Sequence, residues 1–496
     1  MKRRNFLEAV QWSGLSLVLG TSFRSDLSSV WQKEGYHKII LQKSDHQSIE
    51  LPAENRIPFG WPAIGINPGD SIIFKPEKRL ETQSYLWLRV SIAQEIRDVK
   101  KFHVSLVEDQ TELGFIDIRY SSVLVPYQLQ IDPKFIDSIN KHGLRLTLEA
   151  SEPLWIFDTK ARGINNRSFL PHLLTAFSQH GSIENFLNCF TSTDSIQSFG
   201  WREGTVLDGL WQLYSRKGNQ QALQAINKHF DLYFDRKQNL IYETSHSIPN
   251  DNQINGIEST IPFATLVRLY PDHPILKTVV AAWEDYTKDN GMITDGRMRS
   301  AEGCYTVAYP MALIGKAWQR EDLKKKALEQ LIHRFVLIHD QSIYLRYTEG
   351  DRTYRNWARG AAWFLIGFAR TMIELKDELG EDIITKFREG IDIALSMQRK
   401  DGLWSCFMHE DVLPDTSGSS GIAAAILTGI NEGFLPESYR KPAIKCWEAL
   451  PAYLTPDGFL QGVAQDNRGG IALQQSDYRV IAQMGMGLMA QLYAAI

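Results

Sequence analysis

Cysteine is scarce in this chain, and what there is does not cluster. Cys189, Cys304, Cys406 and Cys446 are widely separated and form no C-x-x-C pair. A disulfide framework and a zinc site are not expected; buried free thiols are. An excess of basic charge is also missing. The 54 Lys and Arg stand against 58 Asp and Glu, a formal net charge of −4. Non-specific nucleic-acid binding needs a basic surface and is excluded. The sequence carries no P-loop, no dinucleotide fingerprint and no metal-ligand spacing, so neither cofactor nor metal is expected. The apolar stretch from Ala9 to about Thr21 is too short to cross a bilayer, and membrane insertion is not expected.

What is abundant is length and aromatic residues. A chain of 496 residues has room for two or three domains and a large core. The 13 Trp and 18 Tyr exceed what charge or cysteine chemistry would need. Aromatic rings stack on the apolar faces of sugars, although any single ring is more often core. At the N-terminus, Arg3-Arg4 followed by Asn5-Phe6-Leu7 resembles a twin-arginine export signal. About the first 25 residues read as that signal, which implies an exported, periplasmic protein; an ordinary amphipathic helix is the plainer alternative.

Two textures follow. From 36 to 158, short runs rich in β-branched and aromatic residues alternate with turn formers, as in HKIILQ, SIIFKP, KFHVSLV and LRLTLEA. Such spacing predicts a β-sandwich. Tyr85-Leu86-Trp87-Leu88-Arg89-Val90 alternates as a strand with one buried face. Asp158 to Arg167 reads as a linker. From 168 to 496 helical patterns dominate and strand-like runs nearly vanish. Turn segments recur at Asp289-Asn290-Gly291, Asp401-Gly402-Leu403-Trp404 and Asp457-Gly458-Phe459, with looser versions at Arg236–Ile241 and His339–Tyr344. A spacing of roughly 50–60 residues suits a repeated unit of two helices. About six helical hairpins fit, and closed into a ring they make an (α/α)6 toroid; an open solenoid is the alternative. The fold expected is mainly α, a toroid preceded by a β-sandwich.

Asn356-Trp357-Ala358-Arg359-Gly360-Ala361-Ala362-Trp363 is the most specific segment in the chain. It resembles the W-A-R-G-x-x-W signature of the unsaturated uronyl hydrolases, glycoside hydrolase families 88 and 105. Asp401-Gly402-Leu403-Trp404, Thr416-Ser417-Gly418-Ser419 and Asn431-Glu432-Gly433-Phe434 match further segments in order, and Trp201-Arg202-Glu203-Gly204 resembles an early helix. The similarity spans roughly 170–490 and leaves the β-domain outside it. It implies an (α/α)6 fold with two Asp in a cleft. Their places are taken here by Glu302, ahead of Tyr305 and Tyr309-Pro310, and by Glu258; Asp295-Gly296 is a third candidate.

Sugar hydrolysis uses two carboxyls, one of which must hold its proton near neutral pH. In the family resembled, a proton is added across the C4–C5 double bond of a terminal uronic acid and water attacks C5. Glu in place of Asp reaches one methylene further and leaves room for a saturated uronide. Glu302, Glu258 and Asp295 are thus catalytic candidates, each with a helix-start or turn carboxylate as the plainer alternative. Arg359 suits a uronate carboxylate, because a guanidinium binds one through two parallel hydrogen bonds. Trp357 and Trp363 flank it. Arg346 stands where the family often has a His, and Tyr305 and Tyr478 complete the candidate substrate contacts. The expected function is an exo-acting glycoside hydrolase that removes a terminal uronic acid from an oligosaccharide. The alternatives are a saturated β-glucuronidase with a Glu pair, a non-catalytic glycan-binding protein on the same fold, and a lyase with Tyr305 as base. The oligomeric state is left open by the sequence.

Overall fold

A computed structural model describes residues 35–42, 49–81, 83–159 and 167–496. The export signal and most of the expected linker lie outside the described residues. The first part of the chain builds β1 (Tyr36–Leu41), β2 (Ala63–Ile66), β3 (Ser71–Pro76), β4 (Tyr85–Ser91), β5 (Val99–Leu106), β6 (Glu112–Arg119) and β7 (Pro126–Ile131), then a short α1 (Ile136–His142), β8 (Leu144–Glu149), β9 (Leu154–Phe157) and β10 (His172–Ala176). Eight strands follow the order β6-β5-β8-β3-β1-β10-β4-β7, with antiparallel pairing throughout. β1 changes partner along its length: Tyr36–Lys38 pair with β10 and Ile39–Leu41 with β3. β6 and β7, at opposite ends of that order, pack on one another, so the sheet folds over its own apolar face. In β5 every second residue is buried, from Lys100 through Phe102 and Val104 to Leu106, as period-2 geometry requires.

β4 departs from this alternation. Every residue from Leu86 to Ser91 is buried. Leu86, Leu88 and Val90 belong to the apolar core, while Arg89 reaches Asp457 of the helical part at 2.5 Å. Both faces of β4 are therefore covered, one by the sheet's interior and one by the next domain. β10 is a second departure. It pairs with β1 and β4, so the sheet runs on to Ala176 rather than ending at 158, and the helices begin later than 168. A five-residue strand with three apolar residues does not reveal from sequence which domain it joins.

The helices are α2 (Ile183–Phe190), α3 (Trp201–Lys217), α4 (Gln220–Tyr233), α5 (Pro262–Leu269), α6 (Ile275–Asp285), α7 (Tyr309–Ala317), α8 (Glu321–Ile332), α9 (Ala358–Glu374), α10 (Glu381–Ser396), α11 (Thr416–Asn431), α12 (Arg440–Ala449), α13 (Gly470–Gln475) and α14 (Gln483–Ala495). α3, α5, α7, α9, α11 and α14 each pack on the next, and α14 packs back on α3, closing a ring. α4, α8, α10 and α12 lie against α3, α7, α9 and α11. α14 is the last helix, and α2 packs on it, so this pair is assembled from the two ends of the domain rather than from one hairpin. Ring helices such as α11 are buried along nearly their whole length, as a helix covered on all sides must be. α3 and α14 approach closely because both present glycine: a Cβ on Gly209 would sit 2.5 Å from the Gly487 carbonyl oxygen.

The recurring turns follow α4, α6, α8, α10 and α12. Each uses a left-handed residue: Gln238, Gly291, Asp340 with Gln341, Gly402 and Gly458. The helical part is the larger, and the chain as a whole combines it with sheet. Besides the large sheet, β11 (Arg299–Ser300), β12 (Ile338–His339), β13 (Ser342–Thr348) and β14 (Asp351–Arg355) form a small sheet within the helical part. The four cysteines are all buried.

Candidate active site

Glu258 sits in a one-turn 3-10 segment, Ile257–Thr260, that leads into α5. Gly256 enters it at φ 78°. The free N–H of Ile257 is capped by Asp295, whose Oδ1 accepts it at 2.7 Å. Thr260 Oγ1 donates back to the Ile257 carbonyl, which holds the turn closed. Glu302 follows β11, whose Ser300 pairs with Arg346 of β13. It precedes a π-helical turn, Cys304–Ala308, that runs into α7. Such turns insert a residue into the helical ladder and are frequent at functional sites. Gly303 has no room for a side chain: a Cβ there would lie 2.0 Å from Arg334 Nη2. Arg334 cannot yield, because it is buried and donates to the carbonyls of Ser300, Gln330 and Ile293.

The W-A-R-G segment is positioned by the residue before it. Asn356 adopts φ 51°, is fully buried, accepts from Ile343 N and donates to Ser342 Oγ. This ties the hairpin β13–β14 to the start of α9. Trp357 is the extended N-cap residue of α9, and its Nε1 donates to Gln474. Arg359, in the first turn, is 1% exposed. Its Nη1 donates to the Ala464 carbonyl at 2.7 Å and its Nη2 to that of Gln465 at 2.6 Å.

These residues meet in one cleft. Its lining comprises Trp201, Arg202, Glu258, Glu302, Tyr305, Thr306, Trp357, Arg359, Trp363, Asp466, Asn467 and Arg468. Tyr305 and Trp363 stack with ring centres 5.8 Å apart, and Trp201 meets Trp363 edge-on at 5.7 Å. The Tyr305 hydroxyl turns away from the cleft and donates to Asp208 at 2.7 Å, where Tyr309 also donates. Arg202 spans the cleft to pair with Asp466.

The two glutamates are driven apart electrically. Burial raises the Glu258 carboxyl to about 8, with the charges of Glu302 and Asp295 adding to the effect against Arg202 and Arg346. Burial also raises Glu302, but Arg346, a hydrogen bond from Ser300 and Arg359 all oppose the rise. Both carboxyls are raised by burial; the negative neighbours of Glu258 add to its hold on a proton, while the cations near Glu302 favour its charged form.

Of the residues singled out from sequence, Glu258, Glu302, Tyr305, Trp357, Arg359 and Trp363 line this cleft. Arg359 does so with both terminal nitrogens engaged by main-chain carbonyls, so it anchors the wall rather than presenting an empty fork. Arg346 lies on β13 just behind, where its charge reaches both glutamates. Asp295 is beside Glu258 but outside the lining, occupied with the Ile257 N–H. Tyr478 is not in the cleft. Its hydroxyl donates to the Asp117 carbonyl and accepts from Arg119 N of β6, at the seam with the sheet. Sequence reasoning missed Trp201, Arg202, Asp466, Asn467 and Arg468. The Trp-Arg pair stands inside a segment already noticed for its resemblance; the Asp466–Arg468 segment carries no local signal.

The model of Glycosyl Hydrolase Family 88 matches residues 181–495. An unsaturated 3S-rhamnoglycuronyl hydrolase of Formosa agariphila is 30% identical over 108 residues, 21% of this chain and 29% of the relative. The chain therefore matches less than a third of that curated relative's length. Among solved structures, a possible member of family 105 from Salmonella enterica serovar Paratyphi A is similar over 60% of this chain and 82% of its own, with TM-score 0.53 and 17% identity. A family 105 glycoside hydrolase of C. acetobutylicum is similar over 60% and 93%, with TM-score 0.52 and 18% identity. At such identities these structures speak for the toroidal fold alone.

Proposed function

The chain belongs to glycosyl hydrolase family 88, and on that premise we propose that it removes a terminal uronic acid residue, entering from the chain end, from oligosaccharides of an acidic polysaccharide. The observation that carries the proposal is the pairing of Glu258 and Glu302 in one half-buried cleft, with Glu258 held protonated to about pH 8 and Glu302 beside cations. The lining sets the guanidinium groups of Arg202, Arg359 and Arg468 against the carboxylates of Glu302 and Asp466, and this cationic surplus supports a substrate that brings negative charge. The ring interior under Tyr305 is filled by buried side chains around Asp208. A filled floor supports end-on entry of a sugar over passage of a chain. Trp201 and Trp363 offer ring faces for stacking.

In the unsaturated version, Glu258 gives its proton to C4 of the C4–C5 double bond. Glu302 takes a proton from the water whose oxygen bonds C5. The hemiketal formed at C5 opens, and the neighbouring sugar leaves. Between turnovers the proton on Glu302 is returned to Glu258 through solvent. The twin-arginine-like start adds export of the folded chain to the proposal.

Product analysis on a matched pair of oligosaccharides, capped by an unsaturated or a saturated uronic acid, tests this. Loss of the ultraviolet absorbance of the C4–C5 double bond with release of a shortened oligosaccharide is expected. Cleavage of the saturated cap alone would move the assignment to a saturated glucuronidase. A gain of absorbance would indicate a lyase, and binding without turnover a glycan-binding protein.

A further inference from the structure

The segment that closes one side of the cleft, Ala464–Arg468, is gripped from two directions. From the helical ring, Arg359 binds the carbonyls of Ala464 and Gln465, Gln474 Nε2 donates to those of Gln465 and Asp466, and the Tyr354 hydroxyl donates to that of Asn467. From the β-domain, the Arg119 carbonyl and the Tyr127 hydroxyl hold the Gln465 side chain. Glu95, in the loop between β4 and β5, pairs with the Arg468 guanidinium. The Glu95 carboxylate is 5% exposed, and its own main-chain N–H is held by Ser247 Oγ. Arg468 itself lines the cleft.

We propose that the β-domain is a working part of the active site, and that Glu95 is the positioning residue that aims Arg468 into the cleft. A guanidinium on a long side chain loses much rotamer freedom when it is fixed, and a buried carboxylate partner fixes it before substrate arrives. The remaining N–H groups of Arg468 are then presented in one orientation to an anionic sugar. Without Glu95 the same guanidinium would sample many rotamers, and the cleft would bind its ligand less tightly while the acid–base pair stayed in place. This rests on the uronide reading above for the identity of the ligand, but not for the geometry.

The test is a double-mutant cycle on the full-length chain with Glu95→Gln, Arg468→Gln and the combination. Glu95→Gln keeps the side-chain volume and removes the charge. The expected result is a rise in KM of about tenfold, from misplacement of a binding group, with kcat and the pH profile kept. Glu95→Asp is expected to recover part of the loss. The combined variant is expected to be no worse than Arg468→Gln alone, because two residues acting through one contact are not additive. Hydrogen–deuterium exchange gives a readout free of activity: faster exchange over 464–470 in Glu95→Gln, with the ring helices unchanged. Parent-like KM in Glu95→Gln, or additive effects in the cycle, would overturn the inference and leave the uronide reading standing. Should the parent cleave no uronide, the exchange measurement decides alone, and unchanged exchange over 464–470 overturns the inference.

Discussion

Replacing Glu258 by Gln should cost the protein its activity and improve its stability at alkaline pH. The carboxyl has an ordinary value of 4.5 and is raised to about 8 in the fold. An unfolded chain ionises it freely above 4.5; the folded protein keeps the proton until about 8. Native stability linked to this group is therefore whole below 4.5 and is lost as pH climbs to 8, since the folded state binds the proton more tightly. A displacement of this size corresponds to roughly 4–5 kcal/mol. Glu258 keeps partial exposure, so about 2–4 kcal/mol is the share expected to appear. Gln is neutral at every pH and avoids that loss. Thermal melts of parent and Glu258→Gln at pH 5 and pH 9 should nearly coincide at the lower pH. At the higher pH the variant should melt at least a few degrees above the parent. In the same preparations, loss of the acid should lower kcat about 10²–10⁴-fold. The parent's activity should fall along an alkaline limb near pH 8. A Glu258→Gln variant that keeps a tenth or more of parental kcat, or that melts below the parent at pH 9, would refute the assignment of a protonated, buried acid.

Glu302→Gln should also abolish most turnover. It should move the alkaline limb of any remaining activity to lower pH, because the charge of Glu302 helps raise Glu258; an unmoved limb in the pH–rate profile would count against coupling of the pair. Gly303→Ala places a methyl group against the pinned Arg334 guanidinium and should cost about 1–3 kcal/mol, read as a lower urea midpoint at unchanged m-value. Arg359→Lys keeps the charge but replaces the two forked nitrogens on the Ala464 and Gln465 carbonyls by a single ammonium without that planar geometry. It should lose about 1–2 kcal/mol of stability and lower kcat/KM by releasing the 464–468 segment, seen by parallel melts and kinetics.

Some of this was legible without coordinates. The repeated turns marked the helical units because each needs a left-handed residue, and in three of the five that residue is a Gly, at 291, 402 and 458. The W-A-R-G segment stood out as a signature of the family resembled, and the two glutamates were singled out by the places that this resemblance gave them. β10 and the β13–β14 hairpin were not legible. Their apolar residues are too few to set a period, and the partners of β10 lie far along the chain. Tyr478 read as a cleft residue because it precedes a ring helix, but its hydroxyl is taken up by the main chain of β6.

Local pattern determined the helical units and the β-rich start, since each depends on neighbours within a few residues; the two glutamates were singled out by the family resemblance of the segments around them. Only the closed ring decided that Glu258, from a turn before α5, and Glu302, from a turn before α7, face one another closely enough for one to hold the other's proton in place. Only the packing of the sheet on that ring brought Glu95 to Arg468, some 370 residues apart. Burial and mutual charge depend on which segments meet in space, and a linear sequence does not carry that distance.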